Sequence, residues 1–270
     1  MIICSSSPDS IKFMQPLVTI VTPSYNQGQF IEETIQSVLN QTYKNIQYII
    51  VDGGSSDNTM PIVNNYADKI DIIIHEKDGG QADAINKGFR LAKGELAGWL
   101  NSDDILYPDC VKKIVELYQS NPEGSIYYSA SLDWIDVNSS VIESRIINIP
   151  DKNHIVNNDY KIIQPGSFYK TSLLKKINYV NTSYHYCMDL DLWLRLLNHG
   201  AIYSLKNKSY SGFRIWEDSK TATGKAKFLK EILKVLNENG LMFFSKNNIM
   251  IYRNHLGILF RKVIKKRSLH

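Results

Sequence analysis

The alternation of apolar and polar positions divides the first hundred residues into short strands and helices. β-branched runs bounded by polar residues predict buried strands, and apolar residues three and four positions apart predict amphipathic helices. The predicted strands are Leu17–Thr22, Ile46–Val51, Ile70–His75 and a run from Leu96 to Leu100. Helices are predicted over Phe30–Leu39, from Ser56 or Asp57 to Tyr66, and over Ala82–Ala92. This order predicts an α/β fold with a mostly parallel central sheet and helices on both faces.

The second half of the chain has a less regular pattern. It predicts strands at Ser125–Ala130 and Ile163–Tyr169, and helices that begin near Met188 and Ala222. After Gly240, an apolar stripe at helical spacing comprises Tyr252, Leu256, Leu259, Phe260 and Val263. A helix with this stripe either covers the core or lies on a membrane surface, and the pattern favours neither.

Basic residues are concentrated at the C-terminal end. The 270-residue chain has a net charge of +4, yet the segment after Glu238 holds seven lysines and arginines and no acidic residue. The rest is therefore mildly acidic, which argues against a nucleic-acid partner and favours contact of the tail with an anionic surface.

Composition sets the size and the expected compartment. With 43% hydrophobic residues, the chain can form one domain, or one domain with an appendage. The cysteines, Cys4, Cys110 and Cys187, suit neither a disulfide framework nor a zinc site, so a cytoplasmic location is expected. Neither a signal peptide nor a membrane-spanning run is expected.

Polar segments follow each of the four predicted strands. In such sheets ligands bind beyond the carboxyl ends of the strands. The segments are residues 22–26, 52–57, 78–83 and 103–104. Turn chemistry explains each of them singly but explains the set of four less well, so we predict a binding site along this edge.

Adjacent carboxylates mark the last of these segments. Asp103 and Asp104 repel each other, and a Mg²⁺ or Mn²⁺ ion that also binds substrate phosphates would relieve the repulsion. The alternative is a solvated turn before the helix that Pro108 favours. No dinucleotide or P-loop glycine motif is present. An aromatic ring at Tyr25, a carboxylate at Asp52 and the acidic pair together suit a nucleoside diphosphate.

Four motifs then resemble, in the same order, the signature of family 2 glycosyltransferases. They are TPSYN at 22–26, VDGGSSDNT at 51–59, QADAINKG at 81–88 and NSDD at 101–104. The resemblance covers about residues 16–205 and implies an inverting enzyme of GT-A fold. It assigns Thr22, Pro23, Tyr25 and Asp52 to the nucleotide, Gln81 and Asp83 to the nucleotide-sugar, Asp103 to the ribose or sugar, and Asp104 to a Mn²⁺ or Mg²⁺ ion.

The run YCMDLDLWLRLL at 186–197 resembles the family motif that carries the general base. This resemblance assigns proton abstraction from the acceptor to Asp189. The alternatives are that Asp189 only caps a helix, or that Asp191 is the base. Gln164 and Trp193 are assigned to the acceptor side. Relatives often carry histidine where this chain has Trp216, which leaves metal coordination from that side open.

The resulting expectation is a metal-dependent, non-processive glycosyltransferase that moves one sugar from a nucleotide-diphosphate sugar, most often a UDP-sugar in the family. The expected acceptor is a saccharide or a lipid-linked intermediate of surface polysaccharide assembly. The expected catalytic domain spans residues 16–221, with the nucleotide-sugar half at 16–107 and the acceptor half at 108–221. A helical, basic tail at 222–270 would make peripheral membrane contact. The alternative from another class is a catalytically silent module that binds nucleotide-sugars.

Overall fold

The structure, a computed structural model, describes residues 15–206, 208–217 and 219–255, and it confirms the α/β fold. The main sheet contains seven strands in the order β10-β6-β9-β4-β1-β2-β3. They are β1 Val18–Ser24, β2 Ile46–Asp52, β3 Ile72–His75, β4 Leu96–Trp99, β6 Ile126–Ser129, β9 Ser167–Lys170 and β10 Ile202–Leu205. The strands pair in parallel, except that β9 runs antiparallel to both β4 and β6. The prediction of a mostly parallel sheet is therefore confirmed.

A second, four-stranded sheet lies beside the first and was not predicted. Its order is β5-β11-β7-β8. The strands are β5 Ile105–Leu106, β7 Ser131–Ile135, β8 Val141–Ile146 and β11 Ser211–Arg214. Because β5 begins one residue after Asp104 and β11 ends at Arg214, their pairing brings the acidic pair close to the residues that follow β11.

Helices cover both faces of the main sheet. They are α1 Ile31–Leu39, α2 Thr59–Asn64, α3 Gln81–Arg90, α4 Cys110–Ser120, α5 Lys152–Asn157, α6 Thr171–Lys176, α7 Met188–Leu196 and α8 Lys220–Glu238. Successive side chains of a strand point to opposite faces. Accordingly, Val21 packs in one apolar cluster with α3 and α7, whereas Ile20 packs in the other with α1 and α4.

The C-terminal part of the described chain belongs to the same core. The predicted boundary at residue 222 falls inside α8, whose Ile232 and Val235 are fully buried in the cluster that contains α7. Residues 246–255 form a further helix, in which Ile251 is buried and Tyr252 is exposed. The other four residues of the predicted apolar stripe lie outside the described residues. Within the described ranges, no helix has the length and apolar character needed to cross a membrane.

Candidate functional site

A cavity of about 710 Å³ lies beyond the carboxyl ends of β1, β2 and β4. Its walls come from both halves of the chain. Six of the predicted site residues line it, namely Pro23, Tyr25, Gln81, Asp103, Gln164 and Asp189. The polar strand ends and the start of α7 therefore meet in one space large enough for a nucleotide-sized ligand.

The β1 end of the cavity presents an aromatic ring. The side chain of Tyr25 is 61% exposed, which leaves its face open for stacking. Thr22 and Asp52, predicted for the same nucleotide site, are fully buried behind this wall. The hydroxyl of Thr22 lies 3.1 Å from that of Tyr48, so its contact is with the sheet.

Asp52 shapes the loop that follows β2. Its Oδ1 accepts hydrogen bonds from the backbone N–H of Gly54 at 3.1 Å and of Ser55 at 2.8 Å, and lies 2.7 Å from Nδ1 of His75. The backbone N–H of Asn26 donates to the Ser55 hydroxyl at 2.7 Å, which ties the β1 and β2 loops together. Asp52 therefore positions the loop, and in this arrangement its carboxylate does not line the cavity.

The two adjacent acidic residues, Asp103 and Asp104, differ in their access to the cavity. The carboxylate of Asp103 lines the cavity, and its Oδ2 accepts a hydrogen bond from the indole N–H of Trp216 at 2.9 Å. Asp104 is buried away from the cavity, where it accepts from the backbone N–H of Arg214 at 2.9 Å and from Asn101 at 3.0 Å. Burial raises the pKa of both carboxyls, and in Asp104 the neighbouring Asp103 raises it further. Each oxygen of Asp104 thus accepts one hydrogen bond from the protein, and the assignment of a metal to Asp104 stays a prediction.

Arg214 anchors the acidic turn from the side of β11. Its guanidinium is buried and donates to the backbone carbonyl of Asp103 at 2.8 Å and to the carboxylate of Glu33 at 2.6 Å. The ring of Phe30 lies 4.8 Å from the guanidinium and 5.3 Å from the ring of Trp216. Trp216, at the position where the family resemblance led us to expect histidine, therefore holds Asp103 through an N–H group that only donates.

A chain of hydrogen bonds runs along the cavity wall from Lys220 through three amide side chains. Lys220 donates to Oε1 of Gln81 at 2.8 Å, and Gln81 donates to Asn101 at 2.8 Å. Asn101 in turn donates to Gln164 at 3.1 Å. Asp83 lies outside the cavity, where it accepts from the backbone N–H of Gly79 at 3.0 Å and so organises the loop before α3.

Asp189 lies on the wall at the first turn of α7. Its Oδ1 accepts from the backbone N–H of Leu190 at 2.8 Å. Burial raises the pKa of Asp189 to about 6, against the lowering effects of that hydrogen bond and of the nearby Lys220 ammonium. A carboxylate with a pKa close to neutral, open to a cavity, has the properties of a general base.

Two other residues of α7 do not reach the cavity. Asp191 pairs with Arg195 at 2.7 Å, and Arg195 also bonds the carbonyls of Ile177 and Tyr179, so this carboxylate is part of a structural network. Trp193, assigned to the acceptor side, is fully buried and donates to the hydroxyl of Tyr169 at 3.0 Å. Its assignment is corrected to the core, because it lies on a helix face directed towards the sheet.

Several cavity residues were missed by the sequence analysis. His185 and Tyr186 precede Asp189 on the wall, with ring centroids 4.7 Å apart, and Phe213 of β11 lines the cavity as well. Tyr186 is the first residue of the run 186–197 and His185 directly precedes it, but no role was predicted for either side chain. No sequence pattern indicated Phe213, because the second sheet was not predicted.

The carboxylates near the cavity fit a divalent cation that is bound mainly by the phosphates of a substrate. Among the described residues, no three histidine, cysteine or acidic side chains lie close enough together to form a metal cage. Mg²⁺ is commonly bound by one or two carboxylates together with substrate phosphates and water. Asp103, which lines the cavity, fits that need more directly than the buried Asp104.

The fold is of the GT-A type found in sugar-transferring enzymes. Over 89% of this chain and 73% of the other, it matches the crystal structure of Staphylococcus aureus TarS 1–349 in complex with UDP-GlcNAc, at a TM-score of 0.69 and 17% identity. It also matches the mannosyltransferase PcManGT from Pyrobaculum calidifontis in complex with GDP-Man and Mn²⁺, over 95% of this chain and 81% of the other, at a TM-score of 0.62 and 14% identity.

The chain belongs to glycosyl transferase family 2. The sequence profile of that family matches residues 19–178. An uncharacterized glycosyltransferase of Rickettsia typhi is 31% identical over 199 residues, which cover 70% of this chain and 61% of that protein's length. The putative teichuronic acid biosynthesis glycosyltransferase TuaG of Bacillus subtilis is 42% identical over 106 residues, which cover 38% of this chain and 42% of TuaG. The chain therefore matches about three fifths of the length of the Rickettsia relative.

Proposed function

We propose that this chain transfers one sugar from a nucleoside diphosphate sugar to an acceptor hydroxyl, with inversion at the anomeric carbon. The observation that carries the proposal is a single cavity lined by both Asp103 and Asp189, with the exposed ring of Tyr25 at the end of β1. A UDP-sugar is the proposed donor, since the solved TarS complexes contain UDP and UDP-GlcNAc.

The donor would bind with its base against Tyr25 and its diphosphate near Asp103. Lys220 and Gln81, which are hydrogen-bonded to each other on the cavity wall, would contact the diphosphate or the sugar. Asp103 would hold a Mn²⁺ or Mg²⁺ ion with the diphosphate, and the bound ion supplies charge neutralisation of the leaving group. The Mn²⁺ complex of the similarly folded PcManGT supports a divalent cation.

Asp189 would act as the general base. It would take the proton of the acceptor hydroxyl while that oxygen forms a bond with the anomeric carbon and the bond to the diphosphate breaks. The nucleoside diphosphate leaves with the electron pair, and one attack from the opposite face inverts the configuration. A positioned base of this kind contributes roughly 10²- to 10⁴-fold to the rate.

The proposed acceptor is a saccharide, free or lipid-linked, in surface polysaccharide assembly. The similarity to TuaG, a putative teichuronic acid biosynthesis enzyme, supports this class. Gln164, with its amide fixed by the backbone carbonyl of Trp99 at 2.8 Å, is the proposed contact on the acceptor side. We also propose peripheral contact with an anionic membrane, towards which the seven basic residues after Glu238 would be attracted.

A thermal-shift screen tests the proposal. The ligands are UDP, GDP, dTDP and their sugars, each with and without Mn²⁺. A bound ligand at 100 times its dissociation constant stabilises the fold by about 2.7 kcal/mol, so one base should stand out, and Mn²⁺ should strengthen its effect. If no nucleotide raises the melting temperature under either condition, the proposal is wrong.

A further inference from the structure

An exposed apolar surface follows α8 and plays no part in the proposed site. Phe243 and Phe244 are 76% and 86% exposed, and their rings pack edge to face with centroids 4.9 Å apart. Three further apolar side chains of the same segment are each more than half exposed: Met242, Ile249 and Tyr252. We call these five residues the aromatic patch. Apolar side chains exposed together in this way mark an interaction surface.

The backbone under the patch is fixed to the core from its inner side. Asn247 is buried and donates to the backbone carbonyls of Ile155 and Val156 of α5, at 2.8 and 2.9 Å. The backbone N–H of Met242 donates to the side chain of Asn157 at 2.8 Å. Because these bonds hold the segment on α5, the two phenylalanine rings are presented to solvent by a fixed element.

The charges around the patch indicate which kind of partner it suits. Lys246 and Arg253 are exposed on the same helix as Ile249 and Tyr252, at helical spacings of three and four residues. No acidic residue follows Glu238 in the sequence. Aromatic and aliphatic side chains flanked by basic ones suit the boundary between headgroups and acyl chains of an anionic bilayer. A second copy of the chain on this patch would instead bring like charges together, with no acid in the segment to pair with them.

We propose that the aromatic patch docks on an anionic lipid surface, with Phe243 and Phe244 inserted at the headgroup boundary and Lys246 and Arg253 near the lipid phosphates. This deepens the proposed membrane contact by naming the element that inserts. Docking of the aromatic patch on lipid does not depend on sugar transfer by the proposed site.

Vesicle co-sedimentation of the full chain tests the proposal. The vesicles contain phosphatidylglycerol mixed with phosphatidylcholine, or phosphatidylcholine alone. Replacing both rings (Phe243→Ser and Phe244→Ser) should weaken binding to the anionic vesicles by roughly tenfold or more. The matched control replaces two exposed isoleucines of β8, 58% and 73% exposed (Ile142→Ser and Ile146→Ser), and should bind as the unmodified chain does. High salt should release the protein, and neutral vesicles should not bind it.

Insertion itself is read out by Phe244→Trp. Its fluorescence should be quenched by brominated acyl chains in anionic vesicles more strongly than that of the unmodified chain. Unchanged vesicle binding of the double serine variant would overturn the proposal, as would a concentration-dependent dimer that this variant abolishes. Nucleotide binding, measured on the same samples with UDP, GDP and dTDP, separates the two proposals. If the unmodified chain binds none of them, the proposed function is contradicted and the vesicle result still stands.

Discussion

At the scale of single residues, burial of the Asp189 carboxylate should destabilise the fold wherever that group is ionised. Its pKa of about 6 in the folded chain is above the ordinary value of 3.8, because burial disfavours the ionised form. This penalty is absent below pH 3.8, grows as the pH rises, and is complete above about pH 6. Carboxylates with raised pKa values in cavities are frequent at catalytic sites.

Asp189→Asn should therefore stabilise the protein at about pH 8, by up to ~3 kcal/mol for a shift of this size. Asparagine retains the oxygen that accepts from Leu190, so the start of α7 is preserved. Chemical denaturation gives the free energy of unfolding of both proteins. The difference in free energy of unfolding between the two proteins should shrink towards pH 4. Equal stability at pH 8 would show that burial does not destabilise the ionised carboxylate of Asp189.

The neighbouring carboxylates Asp103 and Asp104 should respond differently to the same change. Asp103→Asn should remove the Mn²⁺-dependent part of UDP binding, because this is the carboxylate open to the cavity. Asp104→Asn is the matched control and should retain most of that part, since its oxygens are bonded to Arg214 and Asn101. Calorimetric titration of UDP with and without Mn²⁺ decides. If only Asp104→Asn loses the Mn²⁺-dependent part of UDP binding, then Asp104 and not Asp103 holds the metal.

The sequence predicted which segments meet better than which side chains face the cavity. Tyr25 and Gln81 line it, because the loops after parallel strands meet at one edge of the sheet. Asp189 lines it from the first turn of α7, a placement that only the family resemblance indicated. The orientation of two adjacent residues in a turn depends on distant partners. Asp104 turns inward to a backbone N–H 110 positions further along the chain, a contact that no local pattern encodes.

At the scale of elements, the parallel half of the main sheet was predicted and the second sheet was not. Apolar, β-branched runs bounded by polar residues predicted β1 to β4, and three of these four strands are almost wholly buried. By contrast, β5 has only two residues, and β8 is exposed on both faces, so neither contains the apolar run that predicts a buried strand. The antiparallel direction of β9 relative to β4 and β6 could not be predicted either, because it depends on pairing with residues distant in the sequence.

The packing of α3 against β1 gives a prediction at this scale. A Cβ atom on Gly88 would lie 2.3 Å from Cγ1 of Val21, so helix and strand approach too closely for alanine. Gly88→Ala should cost about 1–3 kcal/mol of unfolding free energy despite its better helix propensity. Gly79→Ala is the control, because its nearest neighbour atom would lie 3.6 Å away, and it should be close to neutral. A stabilised Gly88→Ala in urea denaturation would contradict this close packing.

At the scale of the whole molecule, the described residues after Gly240 contribute to the core of the GT-A fold. Ile251 is 2% exposed and belongs to the same cluster as α7 and α8, whereas Ile249 is 51% exposed. Ile251→Ala should therefore lower the free energy of unfolding by about 2–5 kcal/mol, and Ile249→Ala should change it little. Equal effects of the two substitutions in thermal denaturation would mean that the segment does not pack on the core as described.

The central claim is that one cavity binds a nucleotide-sugar and that Asp189 supplies its base. The most direct test is the rate of nucleoside diphosphate release from saturating donor in Mn²⁺, with water in place of the acceptor, compared between the unmodified chain and Asp189→Asn. The account predicts that the rate falls by about 10² or more while the dissociation constant of the donor stays within about twofold. Weaker donor binding by Asp189→Asn, with an unchanged release rate per bound donor, would contradict the claim that Asp189 is the base. An unmodified chain that binds the donor but never releases the nucleoside diphosphate would contradict it as well.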